Sequence, residues 1–230
     1  MTEAFYDHLA KTRHQIHQHP EVSEEEHETT VFLKGYLKNL GIEPLNYPLK
    51  TGLIAEIGSG HPIIALRADI DALPIKEKTG LPYASNNGAM HACGHDAHMS
   101  VLLGAAKILQ QVKDDLHGKV YLLFQPSEED GEGSPYMRRF GTWYEESDAI
   151  FGGHIWIDLP AGKINIEEGH RMAGAWEFHI YVHGKQGHGA QPHLSIDTIV
   201  TASAIVMNLQ PIVSRHFSPL DSVVVTVGKI

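Results

Sequence analysis

The 230-residue chain contains a single cysteine, Cys93, so no disulfide framework can form within it. No apolar stretch approaches the roughly 20 residues that a membrane-spanning helix requires. The opening Met1-Thr2-Glu3-Ala4 has neither the basic stretch nor the apolar core of a secretory signal. Positive charge is scarce: 18 Lys and Arg stand against 28 Asp and Glu, a net charge of -10. That balance argues against nucleic acid or an anionic membrane as a main partner. With no internal repeat and no low-complexity linker either, the expectation is a cytoplasmic globular protein of one or two domains, long enough to bury a core.

Histidine, by contrast, is abundant, with 17 residues. The densest cluster is Met90-His91-Ala92-Cys93-Gly94-His95-Asp96-Ala97-His98, which holds the cysteine, three histidines and an aspartate within nine residues. A thiolate beside imidazoles suits a borderline-soft divalent metal such as Zn or Mn better than Ca or Mg.

Periodicity predicts helices over 4–19, 24–40 and 97–112, the second opening at Ser23 with glutamates in its first turn. Strands are predicted at 54–57, 63–66, 119–124 and 149–154, two of them nearly continuously apolar, as buried central strands are. Strands alternating with helices predict an α/β fold with a largely parallel sheet flanked by helices. From about Gly169 the pattern changes. An alternating strand at 176–182, a helix at 196–209 and a strand at 222–227 predict a separate β-α-β unit, with domains at 1–170 and 171–230. An apolar strand at the chain end exposes an unpaired edge and suggests an incomplete domain.

In open α/β sheets, sites gather beyond the carboxyl ends of the strands. Asp69 and Asp71 follow one predicted strand, Glu128 and Glu129 another, and His154 ends a third, while Cys93 and His95 precede a helix. If these strands are parallel neighbours, the groups converge. Adjacent glutamates are ordinarily a solvated acidic loop, but here they end a buried strand. One could bind metal while the other takes a proton from an activated water. Cys93 alone reads more often as a small buried hydrophobe than as a ligand, with a nucleophile, its pKa lowered by nearby His95, as a second option. The surrounding histidines and acids favour metal. His14, His17 and His19 read as a polar helix surface. The loop Lys185 to His193 reads either as an ordinary connection or as a substrate contact.

Together, His17-Gln18-His19-Pro20-Glu21, the 65–74 segment Ala-Leu-Arg-Ala-Asp-Ile-Asp-Ala-Leu-Pro, the Met90–Asp96 segment, Phe124–Glu129, Gly152-Gly153-His154 and the Gly184–His193 loop follow one order. In that order they resemble the dinuclear-metal amidohydrolases and peptidases that include hippurate hydrolase, auxin-amino-acid-conjugate hydrolases and N-acetyldiaminopimelate deacetylase. The resemblance implies two divalent metal ions (Mn, Zn, Co or Ni) held by Cys93, His95, Glu129 and His154. It implies Glu128 as general base and Asp71 as the group that orients a metal ligand. It further implies an inserted α+β ferredoxin-like lid that carries a homodimer interface. There His188 stabilises the oxyanion and, with His193, contacts substrate. The implied substrate is a small N-acyl amino acid, whose amide bond is hydrolysed, with a dipeptide as the alternative.

The sequence departs from the family pattern in three places. Asp130-Gly131-Glu132-Gly133 follows the glutamate pair where relatives have glycines. Gln186 and Gly189 stand where glycine and alanine are common. The family also runs to nearly 400 residues, with a last histidine ligand beyond the lid. The expectation is therefore either a fragment of a longer product or a shortened form without activity.

Overall fold

The computed structural model describes residues 2–170, 172 and 174–230, and the chain divides into two compact units, Met1–Asn165 and Ile166–Ile230. The expected domain boundary at 170/171 abuts Arg171, which lies outside the described residues.

In the first unit, helices α1 (Glu3–Gln18) and α2 (His27–Asn39) precede strands β1 (Leu53–Ser59) and β2 (Ile63–Asp69). Helix α3 (His95–Gln111) and strand β3 (Gly118–Gln125) follow, then the short helices α4 (Gly133–Met137) and α5 (Trp143–Glu146) and strand β4 (Ala149–Gly152). The sheet order is β1-β3-β2-β4. β2 runs parallel to both β3 and β4, and β1 runs antiparallel to β3. This is the expected α/β architecture, a largely parallel sheet flanked by helices.

Its apolar run explains why β3 is central. Successive side chains on a strand face opposite ways, so Leu122 and Phe124 enter one core with Leu33, Leu37, Met99 and Leu103. Tyr121 and Leu123 enter a second core on the other face, with Met137 and Trp143. A strand covered on both faces has no position left for solvent-facing residues. β4 is different: it pairs only with β2 among the described residues, and Ile150 and Phe151 are exposed.

Helix α2 starts three residues later than expected. The Ser23 hydroxyl donates to Asp71 Oδ2 at 2.7 Å instead of capping the helix, and Glu26 is buried where a solvated first-turn glutamate was expected.

The second unit contains α6 (Thr198–His216). Asp197 caps it, accepting from the Ile199 and Val200 amides at 2.9 and 3.1 Å. The helix continues through Pro211, past the expected end at Leu209. The strands expected at 176–182 and 222–227 are not formed among the described residues, where Lys185–Ile196 is a lone bridge. Residues 176–182, Thr226 and Val227 instead line, with α6, an open pocket of about 860 Å³. No described residue of this unit is buried. Among the described residues, no helix is long and apolar enough to cross a membrane.

Candidate metal centre

Because β3, β2 and β4 are parallel neighbours, their carboxyl ends share one edge of the sheet. Asp69 ends β2 and Asp71 lies just beyond it, Glu128 and Glu129 follow β3, and His154 sits two residues past β4 rather than within it. Cys93 and His95 reach the same edge from the start of α3. Gly94 caps that helix with φ +91°, a left-handed conformation, and a Cβ there would collide with the Ile155 side chain. Only glycine combines that backbone with that close approach.

His95 is the centre of the arrangement. Its Nδ1–H donates to the Asp71 carbonyl at 2.9 Å and leans toward Asp71 Oδ1 at 3.2 Å. A carbonyl only accepts, so Nδ1 carries a proton, and in the neutral ring Nε2 is the lone pair. Nε2 is buried without a hydrogen-bond partner. It faces Asp69 Oδ2 at 3.6 Å, Glu129 Oε1 at 3.7 Å and Glu128 Oε2 at 3.9 Å. Cys93 Sγ lies 3.3 Å from His154 Nε2. Three sets of potential ligand atoms, each within 4.8 Å of one another, all contain His95: Cys93/His95/His154, Asp69/His95/His98 and His95/Glu128/Glu129. A buried lone pair with no donor facing it, among sulfur, nitrogen and carboxylate oxygen, fits a divalent metal.

Burial would lower the His95 pKa, but the Asp71 hydrogen bond and the charges of Asp69, Asp71 and Glu129 outweigh it and raise it, so a cation at Nε2 competes with a proton there. Burial, with the charges of Glu129 and Glu128, pushes the Cys93 thiol up to about 12. That is the opposite of an activated nucleophile, whereas a coordinating cation deprotonates a thiol outright. Burial, Glu128 and Asp71 raise Glu129 despite the pull of His95. Burial would likewise raise Asp71, but hydrogen bonds from His95, the Glu129 amide and Ser23 outweigh it and lower the carboxyl.

The glutamate pair is aimed by a strained turn. Ser127 sits at φ +50°, in the left-handed region that non-glycine residues rarely occupy. Buried Glu26 accepts the Ser127 amide at 2.7 Å, and Ser127 Oγ accepts the Glu24 amide at 2.9 Å. Gly133 donates to the Ser127 carbonyl at 2.9 Å and packs on the Pro126 carbonyl, leaving no space for a Cβ. The glycine of the divergent 130–133 segment therefore has a packing role.

Sequence reasoning brought Asp69 to this edge without a role and missed the other supports. Asp69 is held at about 2, since the His98 hydrogen bond and the Arg67 charge overcome its burial. His17, expected on a polar surface, is buried, with Nδ1 2.9 Å from Asp96 Oδ2 and Nε2 3.2 Å from Glu77 Oε1. Its neighbour His14 stacks on Tyr83, and His19 is exposed as expected. Glu26 is concealed in a run of acidic residues that reads as solvated. His188 and His193 belong to the second unit and are exposed, with His188 Nδ1 accepting the Ala190 amide at 3.1 Å.

Residues 65–217 match the model of peptidase family M20/M25/M40. The chain belongs to this family. It is 49% identical over 225 residues to N-acetyl-L-cysteine deacetylase of Bacillus subtilis, covering 96% of this chain and 54% of that protein. It is 44% identical over 228 residues to IAA-amino acid hydrolase ILR1-like 5 of Arabidopsis thaliana, covering 98% and 52%. Among solved structures it resembles the Bacillus subtilis YXEP protein, described as a dinuclear metal binding peptidase from the M20 family. That match has a TM-score of 0.70 at 46% identity and covers 73% of this chain and 48% of that one. The chain thus spans about half the length of each of these relatives.

Proposed function

We propose that this chain carries the metal-binding part of an N-acyl-amino-acid amidohydrolase, which cleaves an amide next to a free α-carboxylate. The observation that carries the reading is the buried, unpartnered His95 Nε2, common to the Cys93/His95/His154 and His95/Glu128/Glu129 sets at the sheet edge. Cys93, His95, Glu129 and His154 would hold two divalent ions, of Mn, Zn, Co or Ni. Such ions supply Lewis acidity toward the amide carbonyl and acidify a water molecule.

The protein's own groups do the rest. Glu128 is the more exposed of the two glutamates, with 38% of its side chain accessible against 20% for Glu129. It is therefore the carboxylate free to take a proton from that water and return it to the leaving nitrogen. Asp71 fixes His95 in the tautomer that presents Nε2, and its other oxygen holds the Glu129 amide at 2.9 Å. Residues 171–230 would belong to the lid and dimerisation domain. His188 is proposed to stabilise the oxyanion of the tetrahedral intermediate, and His193 to contact substrate. A homodimer in the cytoplasm completes the reading.

Two similar proteins are named for N-acyl amino acids, an N-acetyl-L-cysteine deacetylase and an IAA-amino acid hydrolase, which favours an acyl amino acid over a dipeptide. The test is Glu128→Gln against the unaltered chain, with bound metal and hydrolysis of N-acetyl amino acids measured on both. Retained metal with abolished turnover supports the reading. Turnover that survives the substitution, or that survives chelation and dies with thiol alkylation, refutes it.

A further inference from the structure

The backbone of Ile155 is held between two histidines. Its N–H points at His98 Nε2 at 3.0 Å, and its carbonyl accepts from His154 Nδ1 at 2.5 Å. An amide N–H only donates and a carbonyl only accepts, so both tautomers follow. His98 carries its proton on Nδ1 and donates it to Asp69 Oδ1 at 2.6 Å. His154 carries its proton on Nδ1, which leaves Nε2 as the lone pair facing Cys93 Sγ. Asp69 is anchored in turn by Arg67 Nη1 at 2.6 Å, and Arg67 Nε donates to Gln125 at 3.0 Å. The rings of His98 and His154 meet edge to face, with centroids 4.7 Å apart.

His98 is buried, as is Asp69, whereas His154 and Ile155 are exposed and lie past the last residue of β4. The strand therefore does not hold His154; the chain from Asp69 through His98 to the Ile155 peptide does. His98 also belongs to a set that could hold a metal, Asp69/His95/His98. Its Nδ1 and Nε2 are both already engaged, so it has no lone pair to offer a cation.

We propose that His98 is a second positioning residue of this centre beside Asp71: it clamps the Ile155 amide and so fixes the tautomer and direction of His154. This inference rests on the reading of His154 and Cys93 as metal ligands. Loss of an outer partner of this kind costs about 10–100-fold in metal affinity.

The test compares the 230-residue chain with His98→Ala, His98→Asn and His98→Gln, using Co(II) titration followed by visible absorption and amide hydrogen exchange at Ile155. Gln keeps an acceptor near the Nε2 position, while Asn keeps only the donor toward Asp69. The expected result is an exchange-protected Ile155 amide in the unaltered chain and in the Gln variant, with comparable Co(II) affinity. Protection is lost in Ala and Asn, with Co(II) affinity about 10–100-fold lower. Asn retains the Asp69 hydrogen bond and serves where Ala does not fold. Unchanged affinity in Ala and Asn, or equal Ile155 exchange in all four, overturns the proposal. So does a Gln variant that protects Ile155 yet binds Co(II) as weakly as Ala, which would make His98 a ligand. If the unaltered chain takes up no Co(II), the metal reading falls, and Ile155 exchange alone decides whether His98 is the clamp.

Discussion

Asp71 holds His95 by two atoms, accepting from Nδ1 through its backbone carbonyl at 2.9 Å and through Oδ1 at 3.2 Å. The other carboxylate oxygen, Oδ2, holds the Glu129 amide at 2.9 Å and the Ser23 hydroxyl at 2.7 Å. One side chain thus orients a residue at the start of α3 and another beyond β3. Asp71→Asn keeps the size but turns one oxygen into a donor, facing either an N–H or the Ser23 hydroxyl. The expected outcome is a chain that folds and binds Zn or Mn about 10–100-fold more weakly, measured by competition with a chromogenic chelator. Unaltered affinity would remove Asp71 from the centre.

Glu26 acts on the glutamate pair from behind. A left-handed serine persists only when its surroundings over-determine it, and the Glu26 carboxylate supplies the bond that does so. Burial raises its pKa against the pull of the Ser127 amide. Glu26→Ala leaves the Ser127 amide without its partner, at a cost of about 1–3 kcal/mol. The prediction is a lower urea midpoint together with weaker metal binding through a displaced Glu129. Ser127→Gly relieves the backbone strain and loses the Oγ contact to Glu24, and is expected to cost less than Glu26→Ala in the same assay.

Much of this was legible in the sequence because the signals were local. Apolar runs give β2 and β3, helical periodicity gives α1 and α3, and their alternation gives a parallel sheet whose carboxyl edge gathers Asp71, Cys93, His95, Glu128, Glu129 and His154. What failed was non-local. His17 looks like one of three histidines on a polar helix, because Asp96 and Glu77 lie 79 and 60 residues away. Ser23 has the chemistry of a helix cap, yet its hydroxyl is taken by Asp71, 48 residues on. The 176–182 and 222–227 segments have strand composition, but a strand exists only with a partner, and alternation records a propensity without naming one.

The 73–90 segment is tied to α1 through Glu77. Its carboxylate accepts from Thr79, from the Ser85 amide at 2.6 Å and from His17. Burial works against ionisation, but those bonds hold the carboxyl at about 2, below the ordinary glutamate value of 4.5. A folded pKa below the unfolded one means that the stabilisation is complete above about pH 4.5 and is lost as pH falls toward 2. Glu77→Gln should therefore lower the urea midpoint at pH 7, with the gap to the unaltered chain narrowing at pH 4 and further at pH 3. A gap independent of pH would mean that the contribution is packing rather than charge.

Gly94 offers the most direct mechanical test of the edge. Its φ of +91° opens α3 between Cys93 and His95, and the Ile155 side chain occupies the space a Cβ would need. Gly94→Ala imposes both a left-handed alanine, about 1–2 kcal/mol, and a collision that has to be relieved by moving one side. Ile155 is exposed and lies in a loop, so it is the side that gives way, and His154 moves with it. A second substitution, Ile155→Ala, removes the atoms in the way. The double variant should recover metal affinity lost in Gly94→Ala while keeping the backbone part of the stability loss. Chelator competition reads the first effect and urea unfolding the second. If the double variant binds metal no better than Gly94→Ala alone, the damage comes from the turn itself, and the Ile155 contact does not transmit it to His154.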